Sequence, residues 1–152
     1  VDYQNFSEIA PEVHAALLAA GKAVDESGLD KGLTELVKLR ASQINGCAFC
    51  VQYHLNDARK AGGDAAKLDL VAAWKDAGIF SAQECAALAW TELLTSVATE
   101  GAPDQAYAAL RRHFTETEAV FLTVAIGTIN NWNRLGVALR FSPPPSRAAV
   151  SA

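Results

Sequence analysis

The stretch Glu35–Gly62, "ELVKLRASQINGCAFCVQYHLNDARKAG", decides how this chain folds. Leu33, Leu36, Val37, Leu39 and Ile44 recur on one side of a helix, which predicts a helix over about Lys31–Ile44. Asn45-Gly46 interrupts it, and a new helix is predicted from near Cys47 to Gly62. So short a turn folds the two helices into an antiparallel hairpin.

Working outward, the same signals predict helices almost throughout. One runs from about Pro11 to Ser27, with proline in its first turn and Gly28 after its end. A short one covers about Ala65–Trp74 and stops before Gly78. Ser81 and Glu84 form a capping box that opens a helix to about Thr99. Another follows from Pro103 to near His113. Thr115 and Glu118 form a second box, opening a helix from Glu116 to about Leu139. The first half of that helix is apolar nearly all round, so it is expected to be buried, centrally or at a subunit interface. Residues 142–152, "SPPPSRAAVSA", read as a flexible or docked tail. No strand-like alternation is found. The expectation is an all-α compact bundle of six to seven helices, one domain over residues 1–141 with a Pro-rich tail over 142–152.

A chain of 152 residues can bury roughly 70% of its unfolded surface. Apolar residues make up 51% and charged residues 20%, an ordinary folded composition. A net charge of −4 with no long basic run argues against nucleic acid and anionic membranes as partners. The longest apolar run, "AVFLTVAIG", is far short of the roughly 20 residues a membrane helix needs. The opening "VDYQNFSEIAPEVH" has no secretory pattern. A soluble cytoplasmic protein is therefore expected. Three cysteines, two of them three apart, are not a secreted disulfide framework. In an intracellular chain that spacing reads as redox or metal chemistry.

Cys47 and Cys50 open a helix, where free N–H groups and the dipole favour a thiolate. Residues three apart on a helix share a face, with Cβ atoms roughly 5–6 Å apart. Modest relaxation brings them within disulfide range. His54, four residues after Cys50, lies on the same face and can exchange protons with a thiol. Glu35 sits on the preceding helix among apolar residues and needs a partner. His54 is the candidate, and a raised pKa would make Glu35 a general base. The simpler alternative is an ion pair with Lys38 or Arg40.

Two further readings stay open for the cysteines. Two Cys and one His leave a tetrahedral zinc site one ligand short, unless Glu35 supplies the fourth. Inert buried thiols are the other. Elsewhere, Cys85 reads as a small core residue. His14 and His113 read as surface residues, and Gln52 and Tyr53 as wall residues. Asn130, Asn131, Asn133 and Arg134 are expected to make structural hydrogen bonds. Trp90 and Trp132 read as core or interface anchors rather than substrate contacts.

Glu35, Cys47, Cys50 and His54 together satisfy the pattern Glu-x11-Cys-x2-Cys-x3-His. With the surrounding stretch, and with "ALAWTELLT" and "INNWNRLGVAL" later on, the chain resembles the AhpD-like alkylhydroperoxidases of the carboxymuconolactone decarboxylase superfamily. The resemblance spans about Asp30–Leu139. It implies an all-helical fold assembled as trimers or hexamers, and a cysteine pair that reduces hydroperoxides while cycling between dithiol and disulfide. It also implies that Glu35 and His54 relay protons to Cys50. Some members carry a histidine just before the second cysteine, where this chain has Phe49. The decarboxylase branch lacks the cysteine pair, so lactone chemistry is not expected.

The sequence thus points to a thiol-dependent peroxidase with no bound cofactor and no metal. Its partners would be a hydroperoxide and an external dithiol or redox-protein reductant. Cys50 is expected to attack the peroxide. Cys47 is expected to resolve the sulfenic acid and to be the more accessible thiol to reductant. The rivals are a general disulfide reductase or redox sensor with the same centre, and a metal-binding or structural helical module.

Overall fold

The structure is a computed structural model that describes residues 1–147. The described residues are helical with short connections and contain no strand. In chain order the elements are α1 (Tyr3–Ile9), α2 (Pro11–Asp25), α3 (Lys31–Ile44), α4 (Ala48–Lys60), α5 (Ala65–Leu70), a 3-10 turn (Val71–Ala73), α6 (Trp74–Ala77), α7 (Ala82–Thr95), α8 (Val97–Glu100), α9 (Asp104–Arg111) and α10 (Glu116–Ala138).

Every predicted helix is present, but the expected count of six to seven is too low. The opening segment, where no helix was expected before Pro11, forms α1, opened by a capping box between Asp2 and Asn5. The helix expected over Ala65–Trp74 breaks at a 3-10 turn and resumes as α6. The helix expected to reach Thr99 ends at Thr95, and a separate turn of helix follows as α8. Both predicted capping boxes, at Ser81 and at Thr115, are formed.

Helix α3 is central because three of its sides are covered. Leu33 and Val37 pack with Trp90, Leu110, Leu122 and Ile126 of α7, α9 and α10. Leu36 and Leu39 pack with Leu68, Val71, Trp74 and Leu88. Ala41, near the C-terminal end, packs against Cys47, Cys50 and Ile129. Arg40 does not meet Glu35; it pairs with Glu92 of α7 at 3.0 Å, and the indole of Trp74 donates to the same carboxylate at 2.9 Å.

The α3–α4 turn is pinned to α10 by amides. Gly46 sits at φ 67°, a left-handed conformation that glycine adopts without strain. The Asn45 amide donates to Asn130 Oδ1 at 3.0 Å and to Asn133 Oδ1 at 2.9 Å. Asn133 in turn donates to Ser42 Oγ at 3.0 Å. These are the structural hydrogen bonds expected of Asn130 and Asn133, and they fix where Cys47 begins α4.

Helix α10 is buried on one side only. Leu122, Ala125, Ile126 and Ile129 face the core, while Val120 and Val124 are 52% and 41% exposed. The first part of the tail docks on α4: the Asn56 side chain donates to Pro145 O and accepts from the Arg147 N–H. Residues 148–152 of the expected tail lie outside the described residues. No helix of the described residues is long and apolar enough to cross a membrane.

Candidate active site

Cys47 is the N-cap of α4, and its sulfur accepts the Cys50 N–H at 3.3 Å. Cys47 and Cys50 are joined in a disulfide with Cα atoms 5.3 Å apart. The first-turn position that favours a thiolate is therefore realised at Cys47. Cys85 is free and half-buried beside Leu88 and Phe80, away from this pair.

Both sulfur-bearing residues are buried, Cys47 at 1% and Cys50 at 2% exposure. This corrects the expectation that Cys47 is the more accessible. It sits at the start of a helix, but α10 covers that start. Gly136 of α10 makes the covering possible: a Cβ there would stand 2.7 Å from Cys47 Sγ and 3.5 Å from Cys50 Sγ. Sequence reading passed over Gly136, since a glycine inside a helical pattern gives no sign of what crosses it.

Glu35 is fully buried and meets His54 across the hairpin, with Oε2 2.7 Å from Nδ1. Its other oxygen is held by Lys31 at 3.0 Å and Lys38 at 3.1 Å. The two alternatives weighed for Glu35, His54 and Lys38, are thus both realised. The expected raised pKa is not. Burial pushes the carboxyl up, but the His54 hydrogen bond and the charges of His54, Lys38 and Lys31 outweigh it and bring it to about 2. Glu35 is a permanent carboxylate at neutral pH, and so an anchor for the imidazole rather than a proton acceptor.

A cavity of about 240 Å³ joins these groups. Cys50 and His54 line it, whereas Cys47 does not. Lys22, Asp25, Lys31, Lys38 and Asp57 give it a charged lining. Tyr3, Phe49, Tyr53, Ile129 and Trp132 give it an aromatic and apolar wall. Phe49 stacks on Tyr3 at 5.2 Å and on Tyr53 at 6.0 Å between ring centroids. Burial raises the Tyr3 phenol, and burial followed by the Asp57 charge raises that of Tyr53, so the wall carries no phenolate.

Three expectations change here. Trp132 faces the cavity rather than serving only as an anchor, while Trp90 is buried and donates to Thr123. His14 is not a simple surface residue: its Nε2 lies 2.8 Å from the Tyr3 hydroxyl, beside Trp132. Tyr53 is a wall residue as expected, but Gln52 bonds Asn56 instead. His113 is exposed, as expected.

Glu35, His54 and Asp57 place one ligand atom each within 4.8 Å of one another. A cation there would have to displace two lysine ammoniums and the imidazole from Glu35. The zinc set considered from sequence needs both sulfurs as thiolates, which only the reduced pair offers.

The all-helical fold brings together a partly apolar cavity, a Cys-x-x-Cys pair and a carboxylate-anchored histidine, an arrangement consistent with a thiol redox centre. Residues 11–93 match the carboxymuconolactone decarboxylase family, and the chain belongs to that family and its AhpD-like superfamily. It is 36% identical over 135 residues to the uncharacterized protein YdfG of Bacillus subtilis, covering 89% of this chain and 92% of that one. A crystal structure from Agrobacterium tumefaciens, of a protein of unknown function proposed to be the antioxidant defence protein AhpD, is similar with TM-score 0.89 and 42% identity. That match covers 93% of this chain and 97% of the other. A peroxidase-related protein from Ralstonia eutropha with an alkylhydroperoxidase AhpD core shares the fold at TM-score 0.79 and 24% identity, covering 91% and 74%.

Proposed function

We propose that this protein is a thiol-dependent peroxidase that reduces organic hydroperoxides with its Cys47–Cys50 pair. One observation carries the reading: Cys50 and a Glu35-anchored His54 line the same cavity. Cys50 opens onto a cavity of about 240 Å³, which favours a small oxidant over a general disulfide reductase.

In the reduced enzyme the Cys50 thiolate attacks the outer oxygen of the hydroperoxide. The O–O bond breaks, a sulfur–oxygen bond forms, and the alkoxide takes a proton from His54 to leave as the alcohol. Glu35, already ionised, holds the imidazole through Nδ1. Cys47, whose thiolate the Cys50 N–H favours, then gives up its proton and attacks the Cys50 sulfenic acid. The sulfur–oxygen bond breaks, the leaving hydroxide takes that proton to depart as water, and the disulfide forms. An external dithiol reduces it through a mixed disulfide and is itself oxidised. Since neither sulfur is exposed, the reductant reaches the disulfide through the cavity or after α1 or α10 shifts.

We place at the exposed Val120 and Val124 of α10 the face of the trimer, or multiple of it, that the family resemblance implies. Peroxide-dependent oxidation of a supplied dithiol, followed at steady state, tests the activity. Stoichiometric disulfide formation without turnover would replace the enzyme by a sensor.

A further inference from the structure

Helix α2 carries a glycine that local structure does not need. Gly21 lies inside Pro11–Asp25, with no positive φ. A glycine inside a helix costs roughly 0.5–1 kcal/mol relative to alanine. Such a cost is usually offset by a close backbone crossing, as at Gly136. At Gly21 there is no crossing: an added Cβ would meet nothing within 4 Å. Gly127 of α10 has similar open surroundings, but it does not line the cavity that holds Cys50.

What lies before Gly21 is that cavity. Leu17, Leu18 and Val24 stand three or four residues from Gly21, on the same helical face, and line it too. The missing side chain is a notch beside Leu17, Leu18 and Val24, on a helix whose Lys22 and Asp25 also line the cavity. Ile129 and Trp132 of α10 add apolar lining. The charged lining is Lys22, Asp25, Lys31, Lys38 and Asp57, with Asp25 3.0 Å from Lys31.

We propose that the α2–α10 side of the cavity binds the organic group of the hydroperoxide, and that Gly21 sets how bulky that group can be. This deepens the peroxidase reading and rests on it. While the peroxide oxygens face Cys50 and His54, the apolar body lies along Leu17 and Leu18 toward Gly21. Water is expelled from both surfaces, and that gain is absent for hydrogen peroxide. Gly21 touches no reacting atom and acts on specificity through volume alone.

The test compares cumene hydroperoxide with hydrogen peroxide in wild type, Gly21→Leu and Leu17→Trp. The second variant fills the same space from a neighbouring position in case the first does not fold. The readout is the ratio of kcat/KM for the two peroxides. Binding of 2-phenyl-2-propanol, the alcohol product, to the disulfide form is followed in parallel by titration calorimetry. The ratio should fall at least tenfold in either variant, and alcohol binding should weaken by a similar factor. A ratio within twofold of wild type in a folded variant would overturn the proposal, as would unchanged alcohol affinity. If wild type turns over no peroxide, yet binds the alcohol and loses it in Gly21→Leu, the pocket stands and the peroxidase reading falls.

Discussion

Glu35 and His54, on neighbouring helices, meet through a carboxylate oxygen and Nδ1 at 2.7 Å, although the carboxylate is fully buried. Two lysines share the other oxygen. The buried charge is therefore matched on both sides. Taking away one partner leaves the others uncompensated, which is costlier than the pairing is worth.

This arrangement fixes an acid limit on stability. The Glu35 carboxyl has an ordinary value of 4.5 and sits at about 2 in the folded chain. A depressed carboxyl contributes stability above its unfolded pKa and loses it as pH falls through the folded one. The contribution should be complete above about pH 4.5 and gone near pH 2, on the order of 3 kcal/mol in all. Urea unfolding from pH 6 to pH 2.5 should show a steeper loss in wild type than in Glu35→Gln. Parallel curves would refute it.

Two glycines should respond in opposite directions to alanine. Gly136→Ala drives a methyl into Cys47 Sγ and should destabilise the oxidised protein by about 1–3 kcal/mol, less the helix-propensity gain. Gly21→Ala meets nothing and should stabilise by about 0.5–1 kcal/mol. Thermal unfolding of both under oxidising conditions decides. Equal shifts would mean that α10 does not press on the disulfide.

Asn133 bridges the Asn45 turn and Ser42. Asn133→Ala removes both contacts and should cost about 1–3 kcal/mol. Amide exchange at Cys47–Phe49 should quicken with it, because that turn positions the start of α4. Unchanged exchange there would mean the amides hold only α10.

Val120 and Val124 of α10 mark the proposed assembly face. Val124→Asp would put a charge into it. Light scattering should then give a lower mass than the wild-type trimer or its multiple. A wild-type mass of one chain, about 16 kDa, would end the proposal.

The hairpin was legible because its signals are local: period, Asn-Gly turn and cysteine spacing all lie within one stretch. The pairing of Glu35 with His54 followed from that hairpin. What could not be read depends on crossings. The burial of Cys47 is set by Gly136, far along the chain, and the cavity wall is completed by Trp132 and by Tyr3 of an unforeseen helix. The ionisation of Glu35 was misjudged because desolvation was weighed against one partner. Lys31 and Lys38, one turn away on either side, bind the same carboxylate.

Cys50, the sulfur lining the cavity with His54, is expected to be the one that meets the peroxide. Reduced Cys47→Ser and Cys50→Ser are each given one equivalent of cumene hydroperoxide with a sulfenic-acid trap, and the adducts are read by mass spectrometry. Cys47→Ser should accumulate the trapped adduct on Cys50, and Cys50→Ser should react at least a hundredfold more slowly. A fast adduct on Cys47 in Cys50→Ser, with none in Cys47→Ser, would make Cys47 the attacking thiol.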